Sequence, residues 1–281
     1  MLDILKYASI FEKSAIELED EFEESMYYNY TIIQSHLLSL AENLGLKITT
    51  LGKVHEDGKI CPIYMFSNSS KNKGPELLIT AGFHGNEPAG PLGLIRFMKK
   101  YNNLLNKANI TFVPLVNPIG LMKFRRGGQD GLDTNRGFVP CSIHYPLSVE
   151  GKILMKNREV LLDAAADGHV SMHEDPEGQG FFIYSWEKEP GIIGNDMVEF
   201  GKKYLPVATE EYLKRKGHNS KNGLVLNENH SSFGELVESA GLPISVTIET
   251  PCLKNLKERS IDQCELVREF VEYCISKFKQ A

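Results

Sequence analysis

Cysteine is scarce and scattered in this chain, which excludes two architectures at once. Cys61, Cys141, Cys252, Cys264 and Cys274 are odd in number and no two stand in a CxxC spacing. Such a set argues against a disulfide scaffold or a cysteine-rich zinc cluster, and for free, mostly buried thiols in a reducing compartment. Long apolar runs are missing too: none approaches the roughly 18 residues of a membrane span. Positive charge is in deficit, with 31 Lys+Arg against 37 Asp+Glu and a formal net charge of −6. A nucleic-acid binder usually carries a clustered basic face. The N-terminal stretch MLDILKYASIFEKSAIELEDEFEES has neither a basic n-region nor a continuous apolar h-region, so it is not a secretory signal. The expectation is a cytoplasmic protein that binds neither membrane nor nucleic acid.

Repeats, low-complexity tracts and linkers are also lacking, so one domain over 1–281 is the economical reading. Its 281 residues, 42% hydrophobic and 24% charged, suffice for a substantial core. The stretch 11–24 reads as a solvated acidic helix face. A helix is expected at 31–43, then two strands, LKITTLGKV and CPIYMFSN, around the charged turn HEDGK. ELLITAGF is a third strand, PAGPLGLIRFMKKY a helix and NITFVPLVNP a fourth strand. The segment 118–148, rich in Gly, Arg, Asp and Asn, reads as a long functional loop. A helix follows over roughly 149–165, then the strands GHVSMHED and FFIYSW, the helix NDMVEFGKKY and a last strand, ISVTIETP. Val267, Phe270, Val271, Cys274, Ile275 and Phe278 recur with helical spacing at the C-terminal end. Alternating strands and helices, with several strands almost wholly apolar, predict an α/β fold. Its central sheet is mixed and largely parallel, with helices on both faces.

In such sheets, sites form at the C-terminal ends of strands. His84 and Glu87 stand after one strand, Asn117 after the next, His173, Glu174 and Asp175 after HVSM, and Glu249 near the end of ISVTIETP. His84 and Glu87 are either two metal ligands from one corner or a helix cap with a stray histidine. Gly85 lets the backbone turn tightly, and Pro88 suits a first helical turn. A catalytic zinc takes three protein ligands, often two His and one Glu, and keeps one position for water. His173 is the natural third, with His169 on the same strand face as the fallback. Glu249, in an apolar strand, is either an edge residue facing water or a general base poised against a metal-activated water. The loop FRRGGQDGLDTNRGF offers Arg125, Arg126, Asp133, Asn135 and Arg136. A guanidinium there matches a substrate carboxylate, and the absence of GKS/T argues against a P-loop.

HGNE (84–87), GLDTNR (131–136), HED (173–175) and IETP (248–251), in that order, resemble the zinc carboxypeptidase (M14 metallopeptidase) family and its aspartoacylase/succinylglutamate desuccinylase branch. The resemblance implies one Zn²⁺ per chain, bound by His84, Glu87 and His173. Asp133 would hold His84 in its ligating tautomer. Glu249 would take a proton from the attacking water and pass it to the leaving amine. Arg126, or its neighbour Arg125, would stabilise the oxyanion, and Asn135 with Arg136 would grip a terminal carboxylate. The implied activity is cleavage of a C-terminal amide bond in a peptide or a murein-type peptide. The alternative is deacylation of an N-acyl amino acid. Deacylases of that branch carry a further β-rich domain, whereas here the residues after Glu249 read as one helix, which favours the carboxypeptidase. Digestive-type members also carry a mobile tyrosine before the catalytic Glu. None occurs here between Tyr212 and Glu249; His230, Ser231, Ser232 and Phe233 stand there instead. Neither an acidic nor a basic residue matches the family's pocket floor.

Overall fold

The strands richest in apolar residues occupy the middle of one sheet, where both faces are covered. A computed structural model describes residues 29–68, 72–188 and 192–279; the acidic stretch 11–24 lies outside them. The elements begin with α1 (Tyr30–Asn43), β1 (Lys47–Glu56), β2 (Lys59–Ser67), β3 (Glu76–Ala81), α2 (Ala89–Lys100), β4 (Asn109–Val113) and α3 (Pro118–Lys123). Then come α4 (Val149–Lys156), α5 (Arg158–Ala164), β5 (Gly168–Asp175), β6 (Phe182–Glu187), α6 (Ile192–Gly201) and α7 (Glu210–Arg215). The series ends with β7 (Ser220–Lys221), β8 (Leu224–Leu226), α8 (Phe233–Ser239), β9 (Ile244–Pro251) and α9 (Leu256–Phe278).

Among the described residues, nine strands form one sheet in the order β1-β2-β4-β3-β5-β9-β6-β8-β7. β4, β3, β5 and β9 run parallel to their neighbours within that block, so their C-terminal ends share one edge. Antiparallel pairs flank it, β1 with β2 and β2 with β4 on one side and β9 with β6 on the other. The expected mixed sheet is therefore parallel at its centre. Period-two alternation divides the core between the two faces. Leu77, Ile79, Val170, Met172, Val246 and Ile248 pack with apolar residues of α1, α2, α6 and α9. Leu78 and Val113 pack on the other side with Ile119 of α3, Leu154 of α4, Leu161 of α5 and Phe233 of α8.

Several elements differ from the sequence expectation. The single helix expected over 149–165 is two helices meeting at Asn157, whose Nδ2 donates to Ile153 O (2.8 Å) and to Leu51 O (3.1 Å). The first turns of the expected loop are α3. Asn117 caps that helix by accepting from Gly120 N at 2.7 Å, and Pro118 follows it, where a missing N–H costs nothing. α7, the β7–β8 hairpin and α8 stand where no element was expected. Within α9, Val267, Phe270, Val271, Cys274 and Ile275 are buried, whereas Phe278 is exposed. No helix among the described residues is long and apolar enough to cross a membrane.

Candidate active site

The candidate site starts from one face of three neighbouring strands. Register pairs His169 with Ser245, Ser171 with Thr247 and His173 with Glu249 across β5 and β9. Across β9 and β6 it pairs Ser245 with Trp186, Thr247 with Tyr184 and Glu249 with Phe182. Paired residues in a sheet share a face, so these side chains form a polar and aromatic patch whose reverse side is the apolar row Val170, Met172, Val246 and Ile248. His173 and Glu249 stand at its C-terminal edge.

The corner after β3 delivers His84 and Glu87 to that edge. Gly82, at φ 66°, makes the turn. Gly85 does not need a left-handed φ; its role is close approach, because a Cβ there would meet the Gly120 carbonyl carbon at 1.7 Å. Gly85 N–H donates to Arg125 O at 3.0 Å, fastening the corner to the loop after α3. Pro88 stands at the N-cap of α2 and sets where the helix departs.

His84 Nδ1 lies 2.7 Å from Glu87 Oε1, His173 Nδ1 lies 2.9 Å from Glu87 Oε2, and the two Nδ1 atoms are 3.2 Å apart. The three side chains are only 3%, 2% and 2% exposed. The outer nitrogen of His84, Nε2, faces Asp133 Oδ1 at 3.0 Å, which leaves Nδ1 directed inward. Asn135 Nδ2 lies 3.3 Å from His173 Nε2, and Asn135 Oδ1 accepts from Phe233 N at 3.0 Å. The Phe83 ring stacks against His173 with centroids 5.6 Å apart. This donor set fits a zinc-type ion. A tetrahedron with metal–nitrogen bonds of roughly 2.0–2.1 Å has edges of roughly 3.3–3.4 Å, close to the Nδ1–Nδ1 separation.

The two adjacent arginines part company. Arg126 reaches Asp133 Oδ2 at 3.0 Å and Glu87 Oε1 at 3.2 Å, and it lines the pocket with Arg136 and Glu249. Arg125 turns away to Glu56 Oε2 (2.9 Å) and Gly128 O (2.7 Å). Arg136 also lines the pocket, and its Nη1 donates to Asn135 O at 2.9 Å.

The remaining strand-end candidates are spoken for. His169, the fallback ligand, is buried between Thr80 Oγ1 (3.0 Å) and Ser245 Oγ (2.9 Å), and burial lowers its pKa to about 3. Asn117 serves as the cap of α3 and donates to Phe83 O at 3.2 Å. Glu174 accepts from Ala89 N at the start of α2 (2.9 Å) and pairs with Arg259. Asp175 holds Tyr212 Oη (2.6 Å) and Lys216 Nζ (2.7 Å).

Electrostatics separates the two carboxylates of the site. Burial opposes ionisation of Glu87, but His84 and His173 overcome it and hold its carboxyl far below the usual range. Glu249 keeps part of its surface open to the pocket. Burial, with the negative charges of Glu87 and Asp175, still pushes its carboxyl well above the usual value. One carboxylate is thus held ionised and the other made receptive to a proton, the division of labour that acid–base chemistry needs.

Tyr184, Trp186, His230, Ser232 and Thr247 complete the pocket. None had been assigned a role. The signal for Tyr184 and Trp186 is alternation in FFIYSW, which puts them on one strand face, but it has meaning only once β6 is known to pair with β9. The signal for Ser232 is the motif SFGE: Ser232 and Glu235 form a reciprocal capping box that starts α8.

The succinylglutamate desuccinylase/aspartoacylase catalytic domain matches residues 73–184, which contain the His84–Glu87 corner, the Arg126–Arg136 loop and His173. A candidate metallopeptidase from Shewanella denitrificans superposes with a TM-score of 0.79 at 27% identity, covering 88% of this chain and 91% of its own. A second, from Shewanella baltica, gives 0.79 at 29% identity and covers 88% and 93%. Carboxypeptidase A from Helicoverpa armigera shares the fold at 14% identity, with a TM-score of 0.66 over 93% and 80% of the two chains. Comparison with curated proteins finds no match. Residues 73–184 thus match the succinylglutamate desuccinylase/aspartoacylase catalytic domain, within a chain that has the metallo-carboxypeptidase fold, in agreement with the resemblance carried by the four ordered motifs.

Proposed function

We propose that the chain is one catalytic domain that hydrolyses the amide bond joining an acyl group to an amino acid with a free carboxylate, as a zinc metallocarboxypeptidase does. The observation that carries this reading is the convergence of His84, Glu87 and His173 beside Glu249 and two arginines in one pocket. His84, Glu87 and His173 would hold Zn²⁺. Such an ion, when bound, polarises a carbonyl and makes water a stronger acid.

The chain's own residues do the rest. Asp133 keeps His84 in the tautomer with Nδ1 free and also holds Arg126 in place. Arg136 pairs with the carboxylate of the residue to be released, with Asn135 beside it. Glu249 accepts a proton from the attacking water and returns it to the leaving nitrogen, for which its raised pKa suits it. Arg126 donates to the oxygen that becomes negative as the tetrahedral species forms.

Deacylation of an N-acyl amino acid is the second reading, favoured by the family matched at 73–184. It breaks the same kind of bond beside the same carboxylate, so the two readings differ only in the acyl half. The test is a hydrolysis screen with C-terminal peptides, γ-glutamyl-linked murein peptides and N-acyl amino acids, run with and without chelator. Chelator-sensitive release of the carboxylate-bearing residue from peptides is expected. Turnover confined to simple N-acyl amino acids would install the second reading. No turnover of any of them, or turnover indifferent to chelator, would overturn both.

A further inference from the structure

A second cluster of potential metal donors adjoins the same pocket through His230. His218 Nδ1 and His230 Nε2 each approach Glu228 Oε2 at 2.8 Å. One donor atom from each residue lies within 4.8 Å of the others. The β7–β8 hairpin brings these residues together. Its turn is Asn222–Gly223, with φ of 52° and 81°, and it returns the chain so that Glu228 and His230 meet His218.

Two of the three residues have their outward atom held, as ligands of a metal centre do. His218 Nε2, the nitrogen turned away from Glu228, lies 2.9 Å from Tyr184 Oη. Glu228 Oε1, the oxygen turned away from the histidines, accepts from Asn219 N at 2.6 Å. A ligating imidazole normally has its other nitrogen held, and a ligating carboxylate normally accepts a further hydrogen bond. Tyr184 can serve either tautomer of His218, since a phenol both donates and accepts. The pattern repeats that of His84, with Tyr184 in the position of Asp133.

We infer that His218, Glu228 and His230 form a second cation site, for a zinc-type divalent ion, adjoining the pocket. Two imidazoles and one carboxylate select an ion of this class over Ca²⁺ or Mg²⁺, which prefer all-oxygen surroundings. Three protein donors leave a tetrahedral ion one position for water. His230 and Tyr184 line the pocket, so an ion here ties the segment after β8 to the wall that faces substrate.

The site does not depend on the hydrolytic reading, and the test keeps them apart by counting ions rather than turnover. Metal-stripped protein is titrated with Zn²⁺ by calorimetry, and bound metal is counted after desalting. Wild type should take up two ions per chain, His230→Ala one and His84→Ala one. Glu228→Gln serves as the second variant of the outer site and should also bind one. His230 is about one-third exposed on its side chain, so its replacement spares the fold. One ion in wild type that is lost in His84→Ala and kept in His230→Ala overturns the inference. So does an ion count in His230→Ala and Glu228→Gln equal to that of wild type.

Discussion

The His84–Glu87–His173 and His218–Glu228–His230 clusters use the same two residue types, two His and one Glu, at different depths. Side chains of the first are 3%, 2% and 2% exposed; those of the second are 12%, 16% and 32% exposed. Their neighbours differ as well. The inner cluster faces Arg126, Asp133 and Glu249, whereas the outer one faces Tyr184 and the backbone of Asn219. Under the proposed function, ligand identity alone does not make a hydrolytic centre. What distinguishes the inner cluster is an adjacent carboxyl with a raised pKa and a guanidinium that can meet developing negative charge.

The largest test of that contrast is Glu249→Gln. It should leave the inner metal bound and lower kcat by at least about 10²-fold; near-wild-type turnover would remove the feature that separates the clusters. Arg126→Ala should lower kcat by roughly 10²–10³-fold, while Arg125→Ala, which loses contacts only to Glu56 and the loop backbone, should change kcat little. Equal effects of the two substitutions would mean that Arg126 has no special relation to the site.

His169 offers a control inside the same face. Its folded pKa is about 3 against an ordinary 6.5. The unfolded chain therefore takes up the proton first, and the stability contributed by neutral His169 is complete above pH 6.5 and lost as pH falls. Between pH 6.5 and 5 the loss is roughly 2 kcal/mol. Denaturant unfolding of wild type and His169→Asn should show their stability difference narrowing by that amount over the interval. An unchanged difference would mean that His169 is not held neutral by its burial. The smallest effect expected is that of Tyr184→Phe. It should weaken the second, outer zinc by about tenfold and leave the inner one unmoved, a shift read in the same calorimetric titration.

Much of the inner cluster could be read from the chain because local signals mark it. His84, His173 and Glu249 end apolar strands, and strand ends on one edge of a parallel block must lie together. The outer cluster has no such mark. His218 and Glu228 are loop residues joined by a two-strand hairpin, and only Asn222–Gly223 announces the turn. Tyr184 was legible as a strand residue but not as a pocket residue, because which strands are neighbours depends on tertiary packing. The same limit explains Asn157, whose helix-breaking contact is to Leu51, far away in sequence. Arg125 and Arg126 could not be ranked from adjacency; Glu56, reached across the fold, takes the first and leaves the second to the pocket.

The contact between Gly85 and Gly120 has a mechanical consequence. Two backbones pressed together with no room for a methyl group, and a hydrogen bond from Gly85 to Arg125 beside them, join the first two inner donors and the stem of Arg126 into one stiff unit. Relative motion between the His84–Glu87 corner and the stem of Arg126 is therefore suppressed by contact rather than by charge. Under the proposed function, accommodation of substrates of different size would fall to the residues that β6 and the segment 227–232 contribute to the pocket, Tyr184, Trp186, His230 and Ser232. A side chain introduced at Gly85 would act like a wedge, prising the two halves of the inner centre apart without touching any of its polar atoms.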